Sequence, residues 1–151
     1  MTPLDALTQF FSPLRTHSWA YPALEVVHLL GIALLVGNLV ALEWRVWSQS
    51  QAMQAIPAKQ LAKLSLGLAV VGFCLAAISG LTMFAAQAGE LLGNRAFVIK
   101  MGLISLAGCN AAWFHGRDSL EKLDGLAKLQ TFLSTLIWLA AMFCGRWIAY
   151  V

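Results

Sequence analysis

Glu25 and His28 lie three residues apart in an otherwise apolar stretch that runs from Pro22 to Trp44. Residues at this spacing share one face of a helix, so the carboxylate and the imidazole would meet the same surroundings. Neutral imidazole is a common metal ligand, and a nearby carboxylate can fix which ring nitrogen carries the proton. The pair therefore predicts a cofactor or metal site, with His28 as the ligand and Glu25 as its polar partner. The alternatives are a buried histidine bonded to a neighbouring serine or carbonyl, and a glutamate that pairs with a basic side chain of another span or faces interfacial water.

Three further side chains lie at a similar depth in other apolar stretches and could complete this site. At about 1.5 Å per residue, His28 and Lys100 each lie about 7 Å from the middle of their helices, and Arg146 lies ~10 Å out on the same side. Lys100 or Met83 could ligate a haem iron opposite His28, and Arg146 could pair with a propionate. For Lys100 and Arg146 the alternative is contact with lipid headgroups. The candidate residues are therefore Glu25, His28, Met83, Lys100 and Arg146.

The elements that must position these groups follow from composition. Hydrophobic residues make up 60% of the 151 residues and charged residues 11%, whereas soluble domains carry about 25% charged residues. Four apolar stretches have about the ~20 residues that span a bilayer as helix, at about 22–44, 64–86, 96–115 and 129–150. Apolar residues also recur at helical spacing before the first stretch. The sequence predicts an all-α integral membrane four-helix bundle, residues 1–151 in one domain, with a short N-terminal interfacial helix.

Helical periodicity predicts which side chains face the interior of this bundle. At about 100° per residue, each span places polar groups on one stripe, and in the first three spans small residues share it. The stripes are Glu25, His28, Gly31 and Leu35; Gly72, Ser79, Met83 and Gln87; Lys100, Ile104, Gly108, Ala111 and His115; and Thr135, Leu139, Met142, Phe143, Arg146 and Tyr150.

The distribution of basic residues predicts the orientation. Two of the loops and the span ends beside them carry more Lys and Arg than the other side, namely Arg45, Lys59, Lys63, Arg117, Lys122 and Lys128 against Arg15, Arg95, Lys100 and Arg146. The positive-inside rule then places both termini on the periplasmic side of a bacterial inner membrane. The formal charge of +3 follows from this arrangement, and without a basic tract nucleic acid is not an expected partner.

Other chemistry is limited by what the chain lacks. Cys74, Cys109 and Cys144 lie in three different spans without CxxC spacing, so structural thiols are expected. His28 and His115 are separated by about 20 Å along the membrane normal, too far to bind one haem iron from both sides. Scattered methionines beside His28 leave Cu(I) binding as another possibility.

Three segments carry a resemblance to known families: ALEVVHLLGIALLVGNLVALEWRVW, GFCLAAISGLTMFAAQA and NRAFVIKMGLISLAGCNAAWFHG. Together they resemble an uncharacterised family of bacterial four-helix inner-membrane proteins. More distantly, the order of a first-helix His, a Gly-rich second helix and F-x-x-K in the third is similar to the HemJ-type protoporphyrinogen IX oxidase. The layout is also similar to CopD-type copper-resistance membrane proteins. In the oxidase family a first-helix His and a third-helix Lys are key positions, and His28 and Lys100 match them.

The sequence thus favours a membrane protein that binds haem b and serves electron transfer or quinol-linked oxidation. A non-catalytic membrane subunit that binds lipid, quinone or a partner protein is the alternative, and copper handling is a third. The expected partners are membrane lipid and either further copies of the chain or the other subunits of a membrane complex. No particular substrate is predicted.

Overall fold

The computed structural model describes residues 3–151, except the side chains of Pro3 and Met53, so Met1 and Thr2 lie outside the described residues. These residues are 88% helical and contain no strand. The helices are α1 (Pro3–Thr16), α2 (Ala20–Trp47), α3 (Gln51–Gln54), α4 (Ala58–Ala85), α5 (Ala88–Gly93), α6 (Arg95–Gly116), α7 (Ser119–Lys122) and α8 (Gly125–Trp147), followed by a 3-10 turn at Ile148–Tyr150.

Four of these helices, α2, α4, α6 and α8, are long and apolar enough to cross a membrane, and the chain is a multi-pass membrane protein. The predicted all-α four-helix fold is confirmed. The helices are longer than the predicted spans: α2 and α4 have 28 residues each, or ~42 Å at 1.5 Å per residue. That length exceeds the ~30 Å of a hydrocarbon core, so their ends extend into the headgroup regions.

Glycines on both helices bring α2 and α4 into close contact. A Cβ atom added to Gly31 would lie 2.6 Å from the Ala76 backbone nitrogen and 2.7 Å from the Gly72 carbonyl oxygen. One added to Gly72 would lie 2.6 Å from the Gly31 carbonyl oxygen. Only glycine fits at either position, because any side chain would collide with the backbone of the other helix. Small residues are what allow the backbones of membrane helices to approach this closely.

The other contacts close an up-and-down bundle. Helices α6 and α8 pack along each other, and α8 also packs on α2. Helices α4 and α6 meet at the stacked rings of Phe84 and Phe97, whose centroids are 5.4 Å apart. Phe73 of α4 lies edge to face with Trp138 of α8, at a centroid distance of 6.3 Å. We name the two ends of the bundle after the short helices located there, the α5 end and the α7 end.

The predicted N-terminal helix is confirmed as α1, which lies at the α5 end against α2, α4 and α5. Arg15 of α1 donates a hydrogen bond to Glu90 of α5 at 2.8 Å. This bond and the carboxylate charge raise the pKa of Arg15 above its usual value. Both side chains are about half exposed or more, so the pair positions α1 more than it stabilises the fold.

At the α7 end, Asp124 caps α8 and pairs with a neighbouring arginine. Its carboxylate accepts the Ala127 backbone N–H at 2.9 Å and a guanidinium N–H of Arg117 at 2.6 Å. The bond from Arg117, followed by that from Ala127, holds the pKa of Asp124 below its usual value. A carboxylate with a lowered folded-state pKa stabilises the fold above its unfolded-state pKa, and this stabilisation is lost as pH falls through the folded-state value.

We therefore expect the thermal midpoint of the wild type to exceed that of Asp124→Asn at neutral pH, because asparagine keeps a cap acceptor but loses the charge. The gap should close as the pH is lowered through about 4 and below, where the carboxylate becomes protonated. Thermal unfolding of both proteins in detergent across this pH range measures the difference in midpoint. Asp118→Asn, which removes a neighbouring carboxylate, is the control. A gap that stays constant with pH contradicts the role of the Asp124 charge.

Candidate functional site

His28 is held by α4 through its Nδ1 atom. This atom lies 2.8 Å from the Ala76 carbonyl oxygen and 3.2 Å from Ser79 Oγ. The Ser79 hydroxyl itself donates to the Leu75 carbonyl at 2.6 Å. Because a carbonyl oxygen can only accept, Nδ1 of His28 must carry a proton. In the neutral imidazole the lone pair is therefore on Nε2.

Gly80 makes room for the imidazole ring. A Cβ atom on Gly80 would lie 3.0 Å from His28 Cε1 and 3.3 Å from Nδ1. The ring thus lies directly over the α4 backbone, one residue beyond the serine that bonds it. Close packing at Gly31, one turn along α2 on the same side, keeps α2 near enough for this contact. His28 is therefore held against α4 by contacts with Ala76, Ser79 and Gly80.

The side chain of Lys100 extends from α6 to a glycine of α8. Its Nζ atom would lie 3.4 Å from a Cβ atom added to Gly145 of α8, and its Cε atom 3.6 Å. Lys100 is half-buried and, like His28, lies in the half of the bundle nearer the α5 end. Four helices thus contribute to one region in the half of the bundle nearer the α5 end: two basic side chains, each lying over a glycine of the neighbouring helix.

The other predicted site residues lie around this region rather than in it. Glu25 is exposed and makes no hydrogen bond or ion pair with another described residue. Arg146 is exposed as well, donates to the Tyr150 hydroxyl at 2.9 Å and lies over the Tyr150 ring. Met83 is half-buried on α4, one turn beyond Ser79. His28 and Lys100 are thus half-buried, each against a glycine of another helix, whereas Glu25 and Arg146 are on the surface.

The predicted interior stripes are correct for α4 and for most of α2 but not for the other two helices. In α8 the stripe residues Leu139 and Phe143 are 48% and 63% exposed, so that face points outwards. In α6 the buried residues are Ala96, Ala107 and Phe114, whereas Gly108, Ala111 and His115 are exposed. These helices are apolar nearly all round, so periodicity does not identify the buried face.

Sequence reasoning missed a polar cluster at the α7 end. The Glu43 carboxylate of α2 accepts a hydrogen bond from the Thr135 hydroxyl of α8. Asn110 of α6 donates to the Gln130 carbonyl oxygen at 2.9 Å. An ionisable residue inside a span is itself a signal of function. Glu43, placed near the end of the first apolar stretch, carried that signal in the sequence.

A groove of about 530 Å³ opens between α6 and α8 at the α5 end. Its walls include Ile99, Phe143, Cys144 and Trp147, and the charged side chains of Arg95 and Glu90 also line it, so it is mainly apolar with one group of each charge. The volume lies within the ~300–1,000 Å³ typical of small-molecule sites. Lys100 follows Ile99 in α6 and Gly145 follows Cys144 in α8, so the groove adjoins the His28 and Lys100 region.

Comparisons with protein-family models, curated proteins and solved structures found no match. Within residues 3–151, no three His, Cys, Asp or Glu side chains are grouped so that they could hold a metal ion. The fold and the site define a four-helix membrane protein with a histidine and a lysine seated over interhelical glycines.

Proposed function

We propose that the protein binds haem b between its helices near the α5 end, and that it serves electron transfer or quinol-linked oxidation. The observation that carries this proposal is the hydrogen bond from His28 Nδ1 to the Ala76 carbonyl oxygen, at 2.8 Å. Histidines that ligate metals donate their other ring N–H to a carbonyl or carboxylate, which fixes the tautomer and the ring orientation. His28 has this arrangement, with the lone pair of Nε2 available to iron.

The residues present fit a haem with one histidine ligand. A single axial imidazole is sufficient to hold haem iron, so no cluster of ligands is needed. Lys100 or Met83 would be a second ligand, or His28 would be the one protein ligand. Arg146 would pair with a propionate after exchanging its bond to Tyr150, at 2.9 Å, for a carboxylate. Glu25 would contribute its charge from the surface of α2.

Bound haem supplies a one-electron couple whose potential depends on the axial ligand and its hydrogen bonds. The chain itself has two tasks at this site. The Ala76 carbonyl orients the imidazole and increases the electron density on Nε2. The α4 and α8 backbones, bare of side chains at Gly80 and Gly145, let the imidazole of His28 and the ammonium of Lys100 lie against them, which fixes the positions of both groups.

The absorption spectrum and metal content of the purified protein test this proposal. A Soret band with about one iron per chain supports haem binding. A colourless protein that contains copper supports copper handling, for which His28 and the methionines would be the ligands. A colourless protein without metal supports the non-catalytic subunit.

The groove between α6 and α8 favours that subunit reading as the second candidate function. Its apolar walls, the rings of Phe143 and Trp147 and the cation of Arg95 suit an amphiphile such as a quinone or a lipid. In that reading His28 is a structural residue that ties α2 to α4. Binding of a quinone by a protein free of haem would support it.

We also propose that the chain lies in a bacterial inner membrane with the α5 end on the periplasmic side. Support comes from Lys and Arg, which are more numerous at the α7 end. In a protein whose native cysteines are replaced by serine, a cysteine at exposed Gln9 should react with an impermeant maleimide added to whole cells. A cysteine at exposed Lys122 should react only after the membrane is opened. The reverse pattern contradicts this orientation.

The proposal extends to assembly with further copies of the chain or with a larger membrane complex. Large apolar side chains remain exposed on all four long helices, among them Leu29, Ile78, Leu106 and Phe143. Lipid covers such surfaces in a monomer, and helices of a second protomer can replace the lipid.

A further inference from the structure

A second, smaller cavity lies between the long helices at the α7 end. Its volume is about 50 Å³, and its walls come from α2, α4, α6 and α8. Hydroxyl and amide side chains form part of the lining, namely Asn110, Gln130, Thr131, Ser134 and Thr135. The rest of the lining comes from Leu39, Leu42, Leu66, Ala111, Phe114 and His115. Most of the lining surface is apolar, so the few polar groups that face the cavity have little choice of hydrogen-bond partner.

The side-chain amide of Gln130, which lines the cavity, has an unpaired hydrogen-bonding atom. Its side chain is among the most buried in the protein, with the whole residue 1% exposed. Its Oε1 atom accepts the Ser119 hydroxyl at 2.8 Å. Its Nε2 atom, buried in the same place, has no hydrogen-bond partner among the described residues. Buried amide groups are nearly always paired with protein or with ordered water, so this N–H group requires an acceptor.

The same conclusion holds if the amide is turned over. Oxygen and nitrogen of a glutamine are assigned from the bonds they make, so the opposite orientation must be considered. It would direct Nε2 to Ser119 and leave Oε1 in the unpaired position. Either orientation leaves one polar atom of Gln130 without a partner among the described residues, and a water molecule can serve in both cases because it donates and accepts hydrogen bonds.

The size of the cavity limits the occupant. A cavity needs roughly 10–15 Å³ of accessible space to hold one water molecule, so about 50 Å³ is enough for one or more waters. Lipids and quinones are excluded by volume. Buried waters typically make about three hydrogen bonds, and the lining hydroxyls of Ser134 and Thr135 supply the partners beyond Gln130.

We propose that this cavity is a binding site for one or more water molecules held by the Gln130 side-chain amide and by the lining hydroxyls. The water lies beside Thr135, whose hydroxyl donates to the Glu43 carboxylate. It therefore brings exchangeable protons next to the hydrogen bond by which Thr135 joins the ionisable Glu43 of α2 to α8. This site is separate from the His28 region and does not depend on haem.

The test is a water-selective NMR experiment on the full-length protein in lipid nanodiscs, with glutamine side chains labelled with nitrogen-15. The Gln130 amide signals are assigned by their loss in Gln130→Met. We expect a cross-peak between the Gln130 amide protons and water, with opposite signs in the laboratory and rotating frames. That sign pattern marks a bound molecule rather than exchange of the amide protons.

Ser134→Ile places three additional carbon atoms at the cavity wall and should abolish the cross-peak, since an apolar side chain then takes the place of water. Gln87, whose amide donates to the Tyr21 hydroxyl at 2.8 Å at the α5 end, reports whether the fold is kept. If the Gln87 signals change, the experiment is repeated with Ser134→Val, which adds a smaller side chain. The cross-peak of the wild type is measured without any substitution at the cavity. The proposal is overturned if the wild type shows no contact with water, or if the contact persists unchanged in a folded cavity-filling variant.

Discussion

Replacing His28 with alanine is expected to abolish haem binding in a protein that still folds. The substitution removes the Nε2 lone pair, which is the proposed ligand, together with the bond from Nδ1 to the Ala76 carbonyl. Loss of a group that only orients a ligand costs about 10–100-fold in metal affinity, so loss of the ligand itself should exceed this. Haem titration of the purified variant, followed at the Soret band, measures the effect.

Two further variants separate ligation from a general disturbance. Lys100→Ala should alter the spectrum or weaken haem retention, because Lys100 lies in the same region. His115→Ala should change neither, because His115 lies at the α7 end, about 20 Å away along the bundle. A wild-type spectrum in His28→Ala would mean that the histidine only ties α2 to α4.

Gly31→Ala is expected to cause the largest loss of stability of any single methyl addition to α2. The new Cβ would lie 2.6 Å from a backbone nitrogen and 2.7 Å from a backbone oxygen of α4. Backbone atoms cannot move aside as a flexible side chain can, so the two helices must separate. Overpacking typically costs about 1–3 kcal/mol, and we expect a free energy of unfolding at least that much lower.

Gly37→Ala is the matched control in the same helix. No described atom outside its own helix backbone lies within 4 Å of a Cβ added there, so alanine meets open space. Alanine exceeds glycine in helix propensity by about 1 kcal/mol, so this variant should be as stable as the wild type or more so. Unfolding in mixed micelles compares the three proteins. Equal stability of Gly31→Ala and Gly37→Ala would contradict the close approach of α2 and α4.

Both predictions concern features that the sequence revealed in part. Composition alone predicted four membrane helices, because a stretch of ~20 apolar residues has few other stable structures. His28 and Lys100 were chosen from their residue types and depth, and the structure shows both half-buried between helices. The bond to Ala76 was foreseen only as a general alternative, since which carbonyl meets a side chain depends on how two helices are rotated.

Helix rotation also explains what the sequence analysis got wrong. Stripes chosen by polar residues placed Arg146 and Phe143 towards the interior, but α8 turns its small residues Ala141 and Gly145 inwards. In membrane bundles the interface is selected by close packing of small residues rather than by polarity. Glu25 lies on the surface rather than in the predicted interior for the same reason. The contact of Gly31 with α4 sets the rotation of α2, and this rotation leaves Glu25 exposed. The buried amide of Gln130 carried no signal in the sequence that distinguishes it from an interfacial glutamine.

The central claim is that His28 ligates iron, and electron–nuclear double resonance of ferric protein loaded with haem tests it most directly. With histidine labelled with nitrogen-15, we predict a strongly coupled histidine nitrogen besides the four pyrrole nitrogens. His115→Ala should retain that coupling. A haem-loaded protein without any coupled histidine nitrogen, or one whose coupling survives in His28→Ala, would contradict the account.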